Sequence, residues 1–162
     1  MNTSCRDIDG DTANHVASAI DLGPNMPSRP LSKKKFAELS DFRYALRRFL
    51  RISEDNARAE GLTSLQYQLL LQVKGERERG WVLVGELAER LQMQQHGAVA
   101  LVSRCERAGL VRRVRNRDDR RRVQIHLTRA GELAVQRVAA RNRPELVSLA
   151  HVVELAAATL AG

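Results

Sequence analysis

The sequence predicts a mainly α-helical chain interrupted by one small β-hairpin. Three observations carry that expectation. Apolar residues recur at three- and four-residue steps over much of the chain after residue 32, which is the period of a half-buried helix. Only two adjacent runs, Leu110 to Arg115 and Arg121 to Leu127, have strand character, supplied by Val111, Val114, Val123, Ile125 and Leu127. Gly61 and Gly109 stand where helical patterns stop, and glycine takes the left-handed cap conformation at no steric cost.

Residues 1–31 are polar, carry Pro24, Pro27 and Pro30, and read as a disordered tail. Residues 32–162 read as a single domain, long enough for a sizeable core. The first helix spans Ser32 to Glu60, with Ser32 as its cap. Phe36, Leu39, Phe42, Leu46, Phe49 and Leu50 form its apolar stripe, opposite a face of Arg43, Arg47, Arg48 and Arg51. A second helix runs from Ser64 to Lys74, capped by Thr63 or Ser64, with Leu65, Leu69, Leu70 and Val73 inward. Gly75 to Gly80 is a charged loop, and Trp81-Val82-Leu83 is a short strand that can pair with the later hairpin.

A third helix from Gly85 to Leu91 buries Leu87, Ala88 and Leu91. Gln92-Met93 turns the chain into a fourth helix, Gln94 to Ala108, with Ala98, Leu101, Val102, Cys105 and Ala108 on its apolar face. A short helix, a tight turn and a longer helix make a helix-turn-helix. The hairpin after it, turning through Asn116-Arg117-Asp118-Asp119, makes that a winged helix, over about residues 62–127. Thr128 caps a fifth helix, Arg129 to about Arg141. Pro144, favoured in a first helical turn, opens a sixth helix that ends at Ala161. The sixth helix is apolar on nearly every side: Leu146, Val147, Leu149, Val152, Val153, Leu155 and Leu160 leave little polar surface. Such a helix must be buried, and a subunit interface is the simplest place. The flanking helices, about 32–60 and 128–161, are therefore expected to build a homodimer.

Charge points to the partner. The chain carries +8 formally, but its first thirty residues balance at −2, with Asp7, Asp9, Asp11 and Asp21 against Arg6 and Arg29, so the remainder carries +10. From Arg112 to Arg122 seven arginines face two aspartates. A basic folded part of this kind fits a polyanion, most often nucleic acid. A helix suits a major groove and an arginine-loaded hairpin tip a neighbouring minor groove.

Other classes lack their chemistry. His15, His96, His126 and His151 have no metal-ligand spacing, and no phosphate-binding glycine loop or nucleophile elbow occurs, so neither enzyme, metal site nor cofactor is expected. Cys5 and Cys105 are distant, which fits reduced thiols in a cytoplasmic protein. Asp7 and Asp9 disfavour a reactive thiolate at Cys5. No secretory signal or 18-residue apolar stretch appears, so no membrane span is expected. A winged-helix interaction module that binds RNA or protein remains the competing reading.

Four pieces in order resemble the MarR family of winged-helix regulators. They are Glu86-Leu87-Ala88-Glu89-Arg90-Leu91, Arg104-Cys105-Glu106-Arg107-Ala108-Gly109-Leu110-Val111, Asp119-Arg120-Arg121 and Leu127-Thr128-Arg129-Ala130-Gly131. The resemblance covers about Leu39 to the C terminus. It implies a homodimeric transcriptional regulator, more often a repressor, on pseudo-palindromic double-stranded operators, released in many members by a small aromatic or acidic compound. The chain departs from the family pattern at Leu83, where a capping Ser or Thr is common, and at Val99 and Ala100, where a hydroxyl and a polar or basic residue are common.

Gln94, Gln95 and His96 open the fourth helix and are the base-reading candidates, since amides can contact adenine in a bidentate way. Ser103 and Arg104, further along, suit phosphate. The resemblance implies that a wing arginine enters the minor groove, Arg120 first and Arg117 second, with Asp119 orienting a neighbour such as Arg121. A narrow A·T-rich groove attracts such an arginine. The resemblance also implies a ligand pocket where helices 1, 2 and 5 meet. Tyr44 and Tyr67 are its hydrogen-bonding candidates, and Arg43 and Arg47 could hold a carboxylate.

Overall fold

The computed structural model describes residues 30–115 and 123–161. Five helices and three short strands follow one another: α1 (Lys33–Ala59), α2 (Ser64–Lys74), β1 (Val82–Leu83), α3 (Val84–Arg90), α4 (Gln95–Arg107), β2 (Val111–Arg115), β3 (Val123–Leu127) and α5 (Arg129–Ala161). The strands form one antiparallel sheet in the order β1-β3-β2. Val82 pairs with Ile125, and the hairpin register runs from Val111 opposite Leu127 to Arg115 opposite Val123. The expected tail falls almost wholly on residues 1–29, outside the described residues, as does the hairpin turn, 116–122.

The helix starts are built from short polar side chains. The Ser32 hydroxyl accepts the Lys35 N–H at 3.3 Å. Thr63 and Gln66 satisfy each other's backbone N–H groups at 3.2 and 2.9 Å, a reciprocal capping box. At α3 only half of that arrangement exists. Glu86 accepts the Leu83 N–H at 2.8 Å, but Leu83 has no oxygen to return the favour to the helix. Thr128 does two jobs: its hydroxyl accepts from Gly131 N–H at 3.1 Å and donates to the Gly109 carbonyl at 2.6 Å, latching the start of α5 onto the end of α4.

One core joins the helix-turn-helix, the sheet and the first half of α5. Leu69, Leu70 and Val73 of α2, Leu87 of α3, Leu101, Val102 and Cys105 of α4, Val82, Val111 and Ile125 of the sheet, and Val135 and Val138 of α5 are fully buried. Gly109 leaves α4 at φ +70°, where a side chain would be strained, and so frees Leu110 and Val111 to enter that core. The helix-turn-helix turn instead passes through Gln92 at φ +51°, a conformation few non-glycine residues adopt.

One expectation changes. The fifth and sixth helices are one: α5 runs unbroken from Arg129 to Ala161 with Pro144 inside it. Proline fixes φ near the helical value, so what it removes is a donor, leaving the Ala140 carbonyl without its partner four residues on. Ala140 and Pro144 are both exposed, where water can take that carbonyl. The apolar second half of α5, expected to be covered at a subunit interface, is not buried within one chain. Leu146, Val147, Val153 and Leu155 are exposed, Val147 by 65%, and Ala156 is the one buried residue among those described after Pro144. The α1 stripe is similarly uncovered: Phe36 is 59% exposed, Leu50 is exposed, and Leu39, Phe42, Leu46 and Phe49 are half-buried.

Candidate nucleic-acid interface

α4 owes its position to its apolar face. Ala98, Leu101, Val102 and Cys105 sink into the core, so the opposite face is held outward. Gln94 is the N-cap residue; its carbonyl accepts the Ala98 N–H at 3.1 Å while its side chain makes no cap bond. Gln94, Gln95 and His96 are all exposed, grouped at the start of the helix. The amide N–H groups of that first turn carry the positive end of the helix dipole, which favours an anionic partner.

Further along, Arg104 and Arg107 are exposed in the last turns. The Ser103 hydroxyl is already engaged: it donates to the Val99 carbonyl at 2.9 Å and accepts from Arg113 Nη2 at 2.8 Å. Its expected phosphate contact would have to share that oxygen. Cys105 lies in the core, where burial pushes its thiol up to about 11 against a smaller opposing pull from Arg104. It is thus a packing residue, with no thiolate character at neutral pH.

The arginines of β2 divide into two roles that the sequence does not separate. Arg112 and Arg115 are exposed. Arg113 is a strut between the strand and α4: its backbone N–H and Nη1 donate to the two Glu106 carboxylate oxygens at 3.0 and 2.6 Å, and Nη2 also reaches the Val99 carbonyl at 3.3 Å. The pairing depends on how the strand approaches the helix, and no local pattern announces it. Arg117, Asp119, Arg120 and Arg121 lie outside the described residues.

The loop before β1 is tied in the same manner. Arg79 spans Glu86 at 3.1 and 3.2 Å and lies 4.6 Å from the centre of the Trp81 ring. Burial raises the Glu86 pKa, yet the Leu83 N–H and Arg79 outweigh it and leave the carboxyl below its ordinary value. His126, on the sheet beside Trp81, is likewise pushed down, by burial first and by Arg112 second.

A cleft of about 490 Å³ opens where α1, α2 and α5 meet. Phe49, Leu50, Leu71 and Leu146 make it largely apolar, and Ser53, Ser64, Gln68, Tyr67 and Asn142 supply polar atoms. Asn142, only 4% exposed, is its hub: it accepts from Asn56 at 2.8 Å and donates to Ser53 Oγ at 2.8 Å and Tyr67 OH at 3.3 Å. Of the four ligand candidates, Tyr67 lines the cleft. Arg43, Tyr44 and Arg47 do not, because the lining turns of α1 are Phe49 to Glu54; Tyr44 is 71% exposed. The lining's charged residue is Glu54, and with no cation in it the cleft is better suited to an aromatic than to an acidic compound. Asn142 and Ser53, which dominate the polar wall, were missed by sequence reasoning; a lone asparagine in a helix is indistinguishable from a solvated one until its neighbours are known.

Among the described residues no three of His, Cys, Asp and Glu converge on a metal-holding group, and no helix is long and apolar enough to cross a membrane.

Residues 60–122 match the MarR family model. Over this stretch the chain is similar to the MarR family. Solved MarR-family proteins share its architecture. A MarR-family protein from Bacillus stearothermophilus is 26% identical, with a TM-score of 0.63 over 74% of this chain and 82% of that one. AbsC, a MarR-family transcriptional regulator from Streptomyces coelicolor, is 23% identical, with a TM-score of 0.62 over 75% of this chain and 82% of its own. Sco3205, a MarR-family regulator from the same organism solved in complex with DNA, is 21% identical, with a TM-score of 0.62 over 77% of this chain and 78% of its own. No curated protein is similar enough in sequence to match the chain. The match ends at residue 122 and so spans the helix-turn-helix and the arginine-rich stretch after β2, while both long flanking helices lie outside it.

Proposed function

We propose that this chain is a MarR-family transcriptional regulator, a sequence-specific, double-stranded DNA-binding protein that acts as a homodimer. The observation that carries the reading is the start of α4: Gln94, Gln95 and His96 stand exposed on a helix whose other face is locked into the core. Two amides and an imidazole at a recognition-helix start suit base edges in a major groove. Exposed Arg104 and Arg107 in the last turns of α4, and Arg112 and Arg115 on β2, add positive charge for phosphates. The wing, with Arg120 foremost and Arg117, Asp119 and Arg121 beside it, completes the contact in the minor groove.

The homodimer rests on the uncovered apolar faces of α1 and α5. Phe36 of α1 and Leu146, Val147 and Leu155 of α5 are large apolar residues left exposed on two long helices, which a second copy would cover. Repression, with release by a small aromatic compound in the cleft around Tyr67 and Asn142, is the regulatory form this reading takes. The cleft lies between the flanking helices and α2, so a ligand there would bear on how the DNA-binding part sits against the rest.

The test is a pair of variants on a duplex that the wild-type protein binds. Gln95→Ala changes base preference at one or two positions, at roughly 1–3 kcal/mol per lost bidentate contact. Arg120→Ala weakens binding to all sequences while the fold is retained. Equal affinity of both variants and wild type would remove α4 and the wing from the mechanism.

A further inference from the structure

The exposed face of α4 carries an apolar residue that the core does not use. Val99 is 45% exposed, although Ala98 before it and Leu101 after it are fully buried. It lies one turn beyond Gln95, and residues four apart share a helix face. Both line a groove of about 500 Å³, together with Leu83, Val84, Gly85, Glu86 and Val123. The groove therefore runs from the start of α3 across α4 to the first residue of β3.

Its wall around Val99 is mainly apolar, from Leu83, Val84 and Val123, and its lining carries no cationic side chain. Glu86 lines it but is held by the Leu83 N–H at 2.8 Å and by Arg79 at 3.1 and 3.2 Å. The cation closest to Val99 among the described contacts is Arg113, which grips the Val99 carbonyl and is neutralised by Glu106 at 2.6 Å. That grip fixes the turn of α4 from which the Val99 side chain projects. A rigid β-branched side chain exposed beside an amide can pack against a methyl group but can neither donate nor accept a hydrogen bond.

We propose that Val99 determines specificity by contacting the 5-methyl group of a thymine in the major groove, beside an adenine held by Gln95. Thymine is the one base that presents a methyl there. Each half-site then carries A·T pairs beneath the first two turns of α4. The inference rests on the DNA-binding reading above and adds the base that this face selects.

The test starts from a random pool of duplexes from which the full-length protein selects its consensus. Each thymine of that consensus is then replaced singly by deoxyuridine, which removes only the methyl, and affinity is read by fluorescence anisotropy. The expected result is one position per half-site where the wild type weakens about four-fold, the worth of burying one methyl group. That penalty disappears in Val99→Ser, an exposed position where the fold is unaffected, while the other positions stay unchanged. A consensus whose thymines all tolerate the loss of the methyl overturns this inference alone. A penalty that persists in Val99→Ser also overturns it, because another residue then reads the methyl. A pool that yields no consensus overturns the DNA-binding reading, and this inference with it.

Discussion

At Gly131 the first turn of α5 passes so close to the end of α4 that an added Cβ would overlap the Leu110 carbonyl oxygen. The Leu110 carbonyl already accepts the Thr128 N–H at 3.0 Å, so neither backbone can retreat without breaking the latch. Gly131→Ala is expected to cost about 3 kcal/mol, the upper end of overpacking, because the obstacle is backbone rather than a flexible side chain. Urea unfolding at fixed protein concentration measures it; a cost below about 0.5 kcal/mol, the level of an ordinary surface change, would mean that the helix start shifts freely. The sequence shows Leu127-Thr128-Arg129-Ala130-Gly131 as a motif, and the structure supplies its reason: a cap, a latch and a close approach within five residues. The arginines between 112 and 122 were harder to read, because identical side chains in alternating strands differ only in what stands opposite. Arg113 meets Glu106 across seven residues and becomes a strut, whereas Arg112 and Arg115 remain exposed.

Among the elements, the bounds of α2 were legible to the residue, since Thr63 and Gln66 make its start and Gly75 its end, but Leu65, expected inward, is exposed and Tyr67 is buried instead. The helix-turn-helix was legible too, because both of its helices are amphipathic and bury one face in the same core. α5 was not. Periodicity marks apolar faces but does not say whether a proline interrupts a helix or rides in it, and Pro144 rides. Its missing N–H leaves the Ala140 carbonyl without an internal partner on the exposed side. Pro144→Ala is therefore expected to raise stability by about 1–2 kcal/mol, the restored hydrogen bond being partly offset by a more flexible unfolded chain. Denaturant midpoints of the two proteins at equal concentration measure it. A loss of stability would mean that the proline ring itself holds α5 in place.

For the whole molecule, one unresolved demand organises the rest. The core around Leu69, Leu101, Ile125 and Val138 is closed within one chain, but the apolar faces of α1 and α5 are not. Sequence patterning identified those faces correctly as apolar and could not say what covers them, because burial against a second copy leaves the same periodicity as burial within one. The same limit applied to the cleft. Its location between α1, α2 and α5 follows from the fold, but which residues reach it depends on rotation about the α1 axis and on which turn stands opposite α2. Arg43, Tyr44 and Arg47 precede the lining turns of α1 and do not reach it, while Asn142, silent in the sequence, lines it and ties its polar wall together. A homodimer that covers the apolar faces would set two copies of α4 about a twofold axis, and a protein symmetric in that way reads DNA that is symmetric too.

Footprinting on the DNA upstream of the chain's own gene, at 50 and 200 mM salt, tests the central claim most directly. A homodimer that reads a symmetric operator leaves a bounded, symmetric footprint of two half-sites about one helical turn, ~34–36 Å, apart. The affinity should fall roughly 10³- to 10⁵-fold between the two salt concentrations if six to ten phosphates are neutralised. Salt-sensitive coating without a boundary would contradict it, and would move the arginine surface to a general polyanion-binding role.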